Sequence, residues 1–249
     1  MRYRSRMNFY TGISDHYDDI FQNTDEQVRF LTPHLAPLPK KIADLGCATG
    51  KLANELAAQG HQVLGIDFDA RMIDHARTEA RSRGLATQFE VADIADLGKF
   101  VPTSHLDVVS CFGNTLVHLP SPEAMEKLAA KIRATLVPGG WFVGQIINYD
   151  RILDQNITTL PTIDNEQVRF DRKYIFTPGK PRFSFETTLT IKASEAEFKY
   201  SVMLFPLRQK QLADIFAQSG YQYCEFFADA ERHDWKPDSY ALWFAARNQ

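Results

Sequence analysis

This sequence predicts an α/β fold: a Rossmann-like, seven-stranded, mostly parallel sheet with helices on both faces, and an antiparallel β insertion after the fifth strand. Three observations point there. Between Lys40 and Asn148, short apolar runs alternate with segments whose apolar residues recur at helical spacing. Gly60, Gly84 and the Pro138-Gly139-Gly140 turn fall just past those segments, where a left-handed residue or a breaker closes a helix. After Asn148 the period shortens to the two-residue alternation of strands.

Residues 1–39, with Tyr10, Tyr17 and the amphipathic stretch HYDDIFQNTDEQVRFL, read as a helical cover laid over the sheet edge. In residues 40–150 the strands are KIADLG, QVLGIDF, QFEVADI, LDVVSCF and WFVGQIIN. Between them lie the helices LANELAAQG, ARMIDHARTEARSRG and PEAMEKLAAKIRATL, the last with Met125, Leu128, Ala129, Ile132 and Leu136 on one face. Strand, helix, strand in this rhythm implies right-handed crossovers and a parallel sheet covered on both sides. Residues 151–206 form the insertion. Its strands are VRFDRKYIF, RFSFETTLTIK and AEFKYSVMLF, and TPGKP turns between the first two. In the second, Phe183, Phe185, Thr187, Leu189 and Ile191 share a face. Residues 207–249 return to the core with one helix, RQKQLADIFAQSG, and two late strands, YQYCEFF and SYALWFAAR. A chain of 249 residues suits one such domain better than two.

Composition narrows the function classes. With 44% hydrophobic and 24% charged residues the chain reads as an ordinary globular protein. A net charge of -3 opposes a surface built to hold nucleic acid, which needs clustered Lys and Arg. Three scattered cysteines, Cys47, Cys111 and Cys224, form neither a disulfide framework nor a zinc motif. The histidines show no metal-ligand spacing, so no metal is expected. No apolar run is long enough to span a membrane, and the expected location is the cytoplasm.

In an open parallel sheet, ligands bind beyond the carboxyl ends of the strands, near the point where strand order reverses. The loop after the first strand reads Asp44-Leu45-Gly46-Cys47-Ala48-Thr49-Gly50 and opens a helix at Lys51. Its small residues admit close backbone approach, and amides at a helix start favour oxygen groups. A dinucleotide fingerprint begun at Gly46 would need glycine at Ala48 and Lys51, and a P-loop would need wider glycine spacing and a Ser or Thr at Leu52. Neither motif is met. Asp67 ends the second strand, about 20 residues on, where a carboxylate can accept from both hydroxyls of a ribose. Asp93 ends the third and could receive the amino group of an adenine. Singly, each aspartate could be a helix cap; three at successive strand ends favour a ligand.

These residues resemble the class I S-adenosylmethionine-dependent methyltransferases. The loop is similar to that family's D-x-G-x-G-x-G, with Ala48 in place of the middle glycine, and the likeness extends over residues 42–148. It implies S-adenosylmethionine as cofactor and S-adenosylhomocysteine as product. It also implies that Asp44, Leu45, Gly46, Cys47, Ala48 and Gly50 hold the methionine part, that Asp67 holds the ribose, that Asp93 and Ile94 border the adenine, and that Phe68 and Met72 pack against the adenosine. Cys111 to Leu119, reading CFGNTLVHL, resembles the F-G-N-[ST]-L-x-H-L segment of small-molecule enzymes related to glycine and sarcosine N-methyltransferases, as do the PGG turn and Asn148-Tyr149-Asp150. By that likeness Phe112, Gly113 and Asn114 lie beside the transferring methyl, and Tyr17 lies close to the cofactor.

Methyl transfer from a sulfonium is an in-line displacement, so the protein must chiefly align the nucleophile and exclude water. An amine acceptor need only lose its proton first. Asn114 and His118 are the catalytic candidates, His118 as base, against a structural role for the histidine. Asn148 and Tyr149, at the end of the fifth strand, are candidate substrate contacts or turn residues. Arg172 and Tyr174 share a strand face, and a guanidinium can grip a carboxylate in a fork; a solvated face is the alternative for Arg172. The expected partner is a small molecule, neither nucleic acid nor membrane, and the insertion could cap a pocket or pair two copies into a homodimer. The rival functions are a cofactor-binding protein without catalysis and an NAD-dependent oxidoreductase.

Overall fold

The structure is a computed structural model that describes residues 12–22 and 24–249. Tyr10, read above as part of the N-terminal cover, lies outside the described residues. Two short helices, α1 (Tyr17–Ile20) and α2 (Asp25–Leu31), open the described chain. The core then alternates β1 (Lys41–Leu45), α3 (Lys51–Ala58), β2 (Gln62–Asp67), α4 (Ala70–Ser82), β3 (Gln88–Val91), β4 (Leu106–Cys111), α5 (Pro122–Thr135) and β5 (Leu136–Ile147).

The chain continues through α6 (Tyr149–Asp154) into β6 (Thr159–Asp164), β7 (Val168–Ile175), β8 (Phe183–Ile191) and β9 (Ala196–Leu204). It closes with α7 (Gln209–Gln218), β10 (Tyr223–Phe227) and β11 (Ala241–Arg247). The large sheet has the order β10-β11-β5-β4-β1-β2-β3. Only the pairings of β11 with β10 and β5 are antiparallel. Strand order reverses between β1 and β4, which pair in parallel through Ile42 and Val108, Ala43 and Val109, and Asp44 and Ser110. The carboxyl ends of these two strands define the crevice.

Successive residues of the central strands feed opposite cores, as strand alternation requires. Ala43, Val109, Phe142 and Phe244 join the core under α5 and α7; Ile42, Val108, Val143 and Trp243 join the one under α3 and α4. Helix starts are set locally. The Asp69 carboxylate accepts from the N–H groups of Arg71 and Met72 at 2.9 and 3.2 Å, and Ser121 caps α5 with Pro122 in its first turn.

Two sequence expectations change. The Pro138-Gly139-Gly140 turn is a bulge inside β5: the register jumps from Leu106 opposite Leu136 to Val108 opposite Trp141. Asn248 satisfies the bulge, its side chain donating to the carbonyls of Leu136 and Val137 and its backbone N–H to that of Gly140. The insertion is a four-stranded antiparallel sheet, order β6-β7-β8-β9, rather than three strands. The added edge strand, β6, is interrupted by Pro161 and a register shift between Leu160 and Ile163, which hid its alternation.

This second sheet packs against the large one. Val168, Phe170, Tyr174, Phe183, Leu189, Val202 and Leu204 extend the core under α5 and α7. The N-terminal helices do not simply follow the sheet edge. Phe30 of α2 packs on Trp243 and Phe227, near that edge, whereas Tyr17 and Phe21 stand over the crevice.

Candidate active site

The crevice is built from the loop after β1. The N–H groups of Gly46 and Cys47 both donate to the Ile66 carbonyl, at 2.7 and 3.1 Å, folding the loop back over β2. Gly46 turns with φ +74°, and a Cβ there would meet the Thr115 side chain at 2.6 Å. Gly50 starts α3 at φ +76°, where a Cβ would lie 2.6 Å from that of Ala76 and 2.7 Å from the Phe89 ring. Ala48 is itself left-handed, at φ +48°. Its N–H donates to Asp67 Oδ2 at 3.0 Å, while Asp67 Oδ1 accepts from the Asp69 N–H at 2.9 Å.

Beneath this loop two aspartates are buried. Asp44, 4% exposed, accepts from the Ser110 hydroxyl at 2.8 Å. Burial pushes its carboxyl up to about 7, Ser110 opposing and the charge of Asp67 adding. Asp67 is raised to about 6 by burial, against the backbone N–H groups that favour its charged form. Burial also drives the Cys47 and Cys111 thiols well up, which disfavours their thiolates.

These parts line a cavity of about 560 Å³, its mouth included. Gly46, Ala48 and Asp67 form its floor. Phe68, Asp93 and Ile94 follow the ends of β2 and β3, Met72 comes from the first turn of α4, and Tyr17, Gly113, Thr115 and His118 come from α1 and from the segment after β4. A second cavity, of about 520 Å³, shares Tyr17, Gly46, Ala48 and Gly113 and adds Asp44, Cys47 and Phe112. Over it, α1 is pinned to the loop: Thr49 Oγ1 donates to Asp18 at 2.7 Å, and Lys51 Nζ lies 3.3 Å from the same carboxylate.

Most residues singled out as cofactor contacts thus come together. Leu45 and Gly50 support the loop from outside the two cavities. Asp93 also caps the following turn, its Oδ1 accepting from the Ala95 N–H at 2.9 Å, so both of the roles weighed for it coexist. His118 ends a 3-10 turn, Thr115–His118, and is 7% exposed. Asn114 stands beside the cavity with its side chain engaged: Oδ1 accepts from the Ile147 N–H at 3.1 Å, and Nδ2 donates to the Tyr149 hydroxyl at 2.9 Å.

The four residues expected at the substrate do not join the cavity. Asn148 is fully buried, and its amide donates to the carbonyls of Lys236, Pro237 and Ser239 while accepting from the Asp150 N–H. Its turn reading matches this placement. Tyr149 is fully buried, packed against Tyr174 and Phe183. Tyr174 is 1% exposed among Phe176, Phe183 and Phe185. Arg172 lies on the second sheet, partly buried instead of on a solvated face, its Nη2 donating to the Pro161 carbonyl at 2.6 Å. Sequence reasoning did not single out Thr115 and Thr49, though they stand inside the quoted fourth-strand segment and first loop, and it missed Phe21, Thr24 and Gln27, which only the fold over the crevice brings near. Among the described residues no group of acidic, histidine and cysteine side chains is placed to hold a metal, and no helix is long and apolar enough to cross a membrane.

The residues present suit S-adenosylmethionine on their own terms. An apolar slot between Phe68, Met72 and Ile94 can take a flat base, with carboxylates at Asp67 and Asp93 to accept from hydroxyl and amino groups. Gly46 and Gly113 leave the wall without side chains, and a Cβ at Gly113 would meet nothing within 4 Å.

Comparison with known proteins agrees with this geometry. Residues 42–140 match a family model described as a methyltransferase domain. A ubiquinone biosynthesis O-methyltransferase of Chromobacterium violaceum is 32% identical over 120 residues, 48% of this chain and 49% of that protein, so the chain spans about half the length of the curated relatives it matches. An S-adenosylmethionine-dependent methyltransferase from Clostridium acetobutylicum superimposes with a TM-score of 0.79 at 15% identity, over 97% of this chain and 99% of that one. An amino pentose methyltransferase from Micromonospora echinaspora, solved with S-adenosylmethionine bound, gives 0.63 at 19% identity, over 99% of this chain and 94% of that one. The narrower likeness to glycine and sarcosine N-methyltransferases gains no support from these relatives.

Proposed function

We propose that this chain, whose residues 42–140 are a methyltransferase domain and whose fold is that of S-adenosylmethionine-dependent methyltransferases, transfers a methyl group from S-adenosylmethionine to a small-molecule acceptor. The observation that carries the reading is the convergence of Ala48, Asp67, Asp93 and Gly113, from four strand ends, on one cavity flanked by Phe68, Met72 and Ile94. When bound, S-adenosylmethionine supplies an electrophilic methyl on a sulfonium.

The chain's own residues bind and orient. Asp67 would accept from the ribose hydroxyls and Asp93 from the adenine amino group, while Tyr17, Gly113 and His118 line the same cavity and would border the acceptor. Tyr17 and the anchored helix α1 exclude water, and Asn114 fixes the segment after β4 against the end of β5. His118, buried at the cavity wall, is the proposed base for an acceptor that must shed a proton. Curated relatives named as O-methyltransferases put hydroxyl acceptors beside amines in the first panel.

The test uses S-adenosylmethionine labelled on its methyl, a panel of small phenols, amines and carboxylic acids, and a count of label passed to acceptor together with S-adenosylhomocysteine formed. Acceptor-dependent formation of both supports the reading. Tight cofactor binding with no transfer to any member would favour a binding protein without catalysis.

A further inference from the structure

The inner face of the second sheet carries one polar row in an otherwise apolar surface. On this face Phe170 stands opposite Leu189, and Tyr174 opposite Phe185, which is opposite Val202. Between those rows Arg172 stands opposite Thr187, and Thr187 opposite Tyr200. Tyr200 is anchored, its hydroxyl donating to the Gly12 carbonyl at 3.1 Å. The other two are not so provided. Thr187 is 3% exposed and its Oγ1 has no hydrogen-bond partner. Arg172 spends Nη2 on Pro161, but its Nε is closed off from solvent and without a partner. Among the described residues no carboxylate pairs with this guanidinium; the titratable groups acting on it are the phenols of Tyr174 and Tyr240.

The row's neighbours reach the rim of the crevice. Two residues before Arg172 on the same face, Phe170 meets the ring of Phe21, which lines the second cavity. Two residues after it, Tyr174 packs on Tyr149, the hydrogen-bond partner of Asn114. Just past β9, the Phe205 N–H donates to the carbonyl of Val117 in the turn that carries His118. Arg172 therefore sits between two contacts that join the second sheet to the rim of the proposed methyl-transfer site.

A partly buried guanidinium whose Nε is closed off without a partner or counter-charge is costly, and an apolar side chain of similar size would serve packing as well or better. Its fork matches a carboxylate in two parallel hydrogen bonds, and a neighbouring hydroxyl adds a third donor. One guanidinium and one hydroxyl suit a planar group with a single negative charge; a phosphate dianion would leave charge unneutralised in an apolar wall. We propose that Arg172 and Thr187 hold a carboxylate of the methyl acceptor, so that the substrate is a small carboxylic acid. This rests on the methyl-transfer reading above.

The test is thermal unfolding of the wild type, Arg172→Met and Thr187→Val, each with sodium benzoate, with benzamide, with sodium phosphate and with sodium chloride at equal ionic strength, and separately with S-adenosylmethionine. Benzoate is expected to raise the wild-type melting temperature by about 2 °C over chloride, and benzamide not at all. Arg172→Met loses the benzoate shift and Thr187→Val keeps about half of it, while both keep the full shift given by S-adenosylmethionine. Equal effects of benzoate and benzamide on the wild type, or a benzoate shift that survives in Arg172→Met, would overturn the proposal. So would a shift with phosphate alone. Should Arg172→Met fail to fold, the benzoate and benzamide comparison in the wild type still decides. A failure of S-adenosylmethionine to stabilise any of the three proteins overturns the methyl-transfer reading instead, and is separable from loss of the anion site.

Discussion

The backbone N–H of Ala48 donates to Asp67 Oδ2 at 3.0 Å, joining the loop after β1 to the acidic end of β2. One bond thereby fixes both the carboxylate proposed to bind the ribose and the loop proposed to hold the methionine part. Ala48 makes it from a left-handed conformation, φ +48°, that glycine would adopt without strain. Ala48→Gly should therefore stabilise the protein by about 0.5 kcal/mol, strain relief slightly outweighing the added freedom of the unfolded chain. Cofactor affinity should stay within about threefold, because the N–H is kept. Ala48→Pro, which removes the N–H and demands negative φ, should abolish binding. Urea unfolding and cofactor titration check both.

The ribose-binding role proposed for Asp67 needs its ionised form for both oxygens to accept from hydroxyls, and burial lifts its carboxyl to about 6. Binding of the cofactor favours the charged form and so releases a proton. Affinity should be full above pH 7 and fall as pH is lowered through 6, by up to tenfold per unit. The stability of the free protein has the opposite sign. The native carboxyl still holds its proton where the unfolded one, near pH 4, has lost it, so Asp67 favours folding at low pH and that contribution is lost between about pH 4 and pH 6. Asp67→Asn should bind weakly at every pH and flatten both profiles, as calorimetry and unfolding across pH 5 to 8 would read.

Asn114 holds the rim together from φ +68°. Asn114→Ala breaks two hydrogen bonds, strands the Ile147 N–H and leaves Ala left-handed, at a cost of about 3 kcal/mol. Asn114→Gly should recover about 1 kcal/mol of that, and Tyr149→Phe should cost only about 1 kcal/mol. Equal losses for the alanine and glycine variants in urea unfolding would contradict the backbone part of this reading.

Asn148 is expected to act through stability. Its buried amide ties the end of β5 to three carbonyls of the 236–239 loop, so Asn148→Ala should cost about 3 kcal/mol while KM for the acceptor changes little. A raised KM with an unchanged melting temperature would mark it as a substrate contact instead.

The parts of the fold legible in the sequence are those whose signals are local. The strand and helix periods from β1 to β5, the glycines that close the helices and the acidic residues at successive strand ends all lie within a few residues of what they determine. The edge strand β6 was not legible because Pro161 and a register shift erase its alternation. Asn148 could be read as a contact or a turn residue because its partners lie 88 to 91 residues away, and no local pattern announces them. The inner-face position of Arg172 follows from strand parity with Phe170 and Tyr174. The lack of a carboxylate beside it follows only from the packing of one sheet on the other.

The measurement that tests the central claim most directly is calorimetric titration of the wild type and Asp67→Ala with S-adenosylmethionine, S-adenosylhomocysteine and NAD. The expected result is binding of the first two and not of NAD, weakened by about 100-fold or more in Asp67→Ala, the loss of about 3 kcal/mol that follows from removing a buried carboxylate bonded to hydroxyls. Binding of NAD, binding of none of the three, or S-adenosylmethionine affinity unchanged in Asp67→Ala would contradict it.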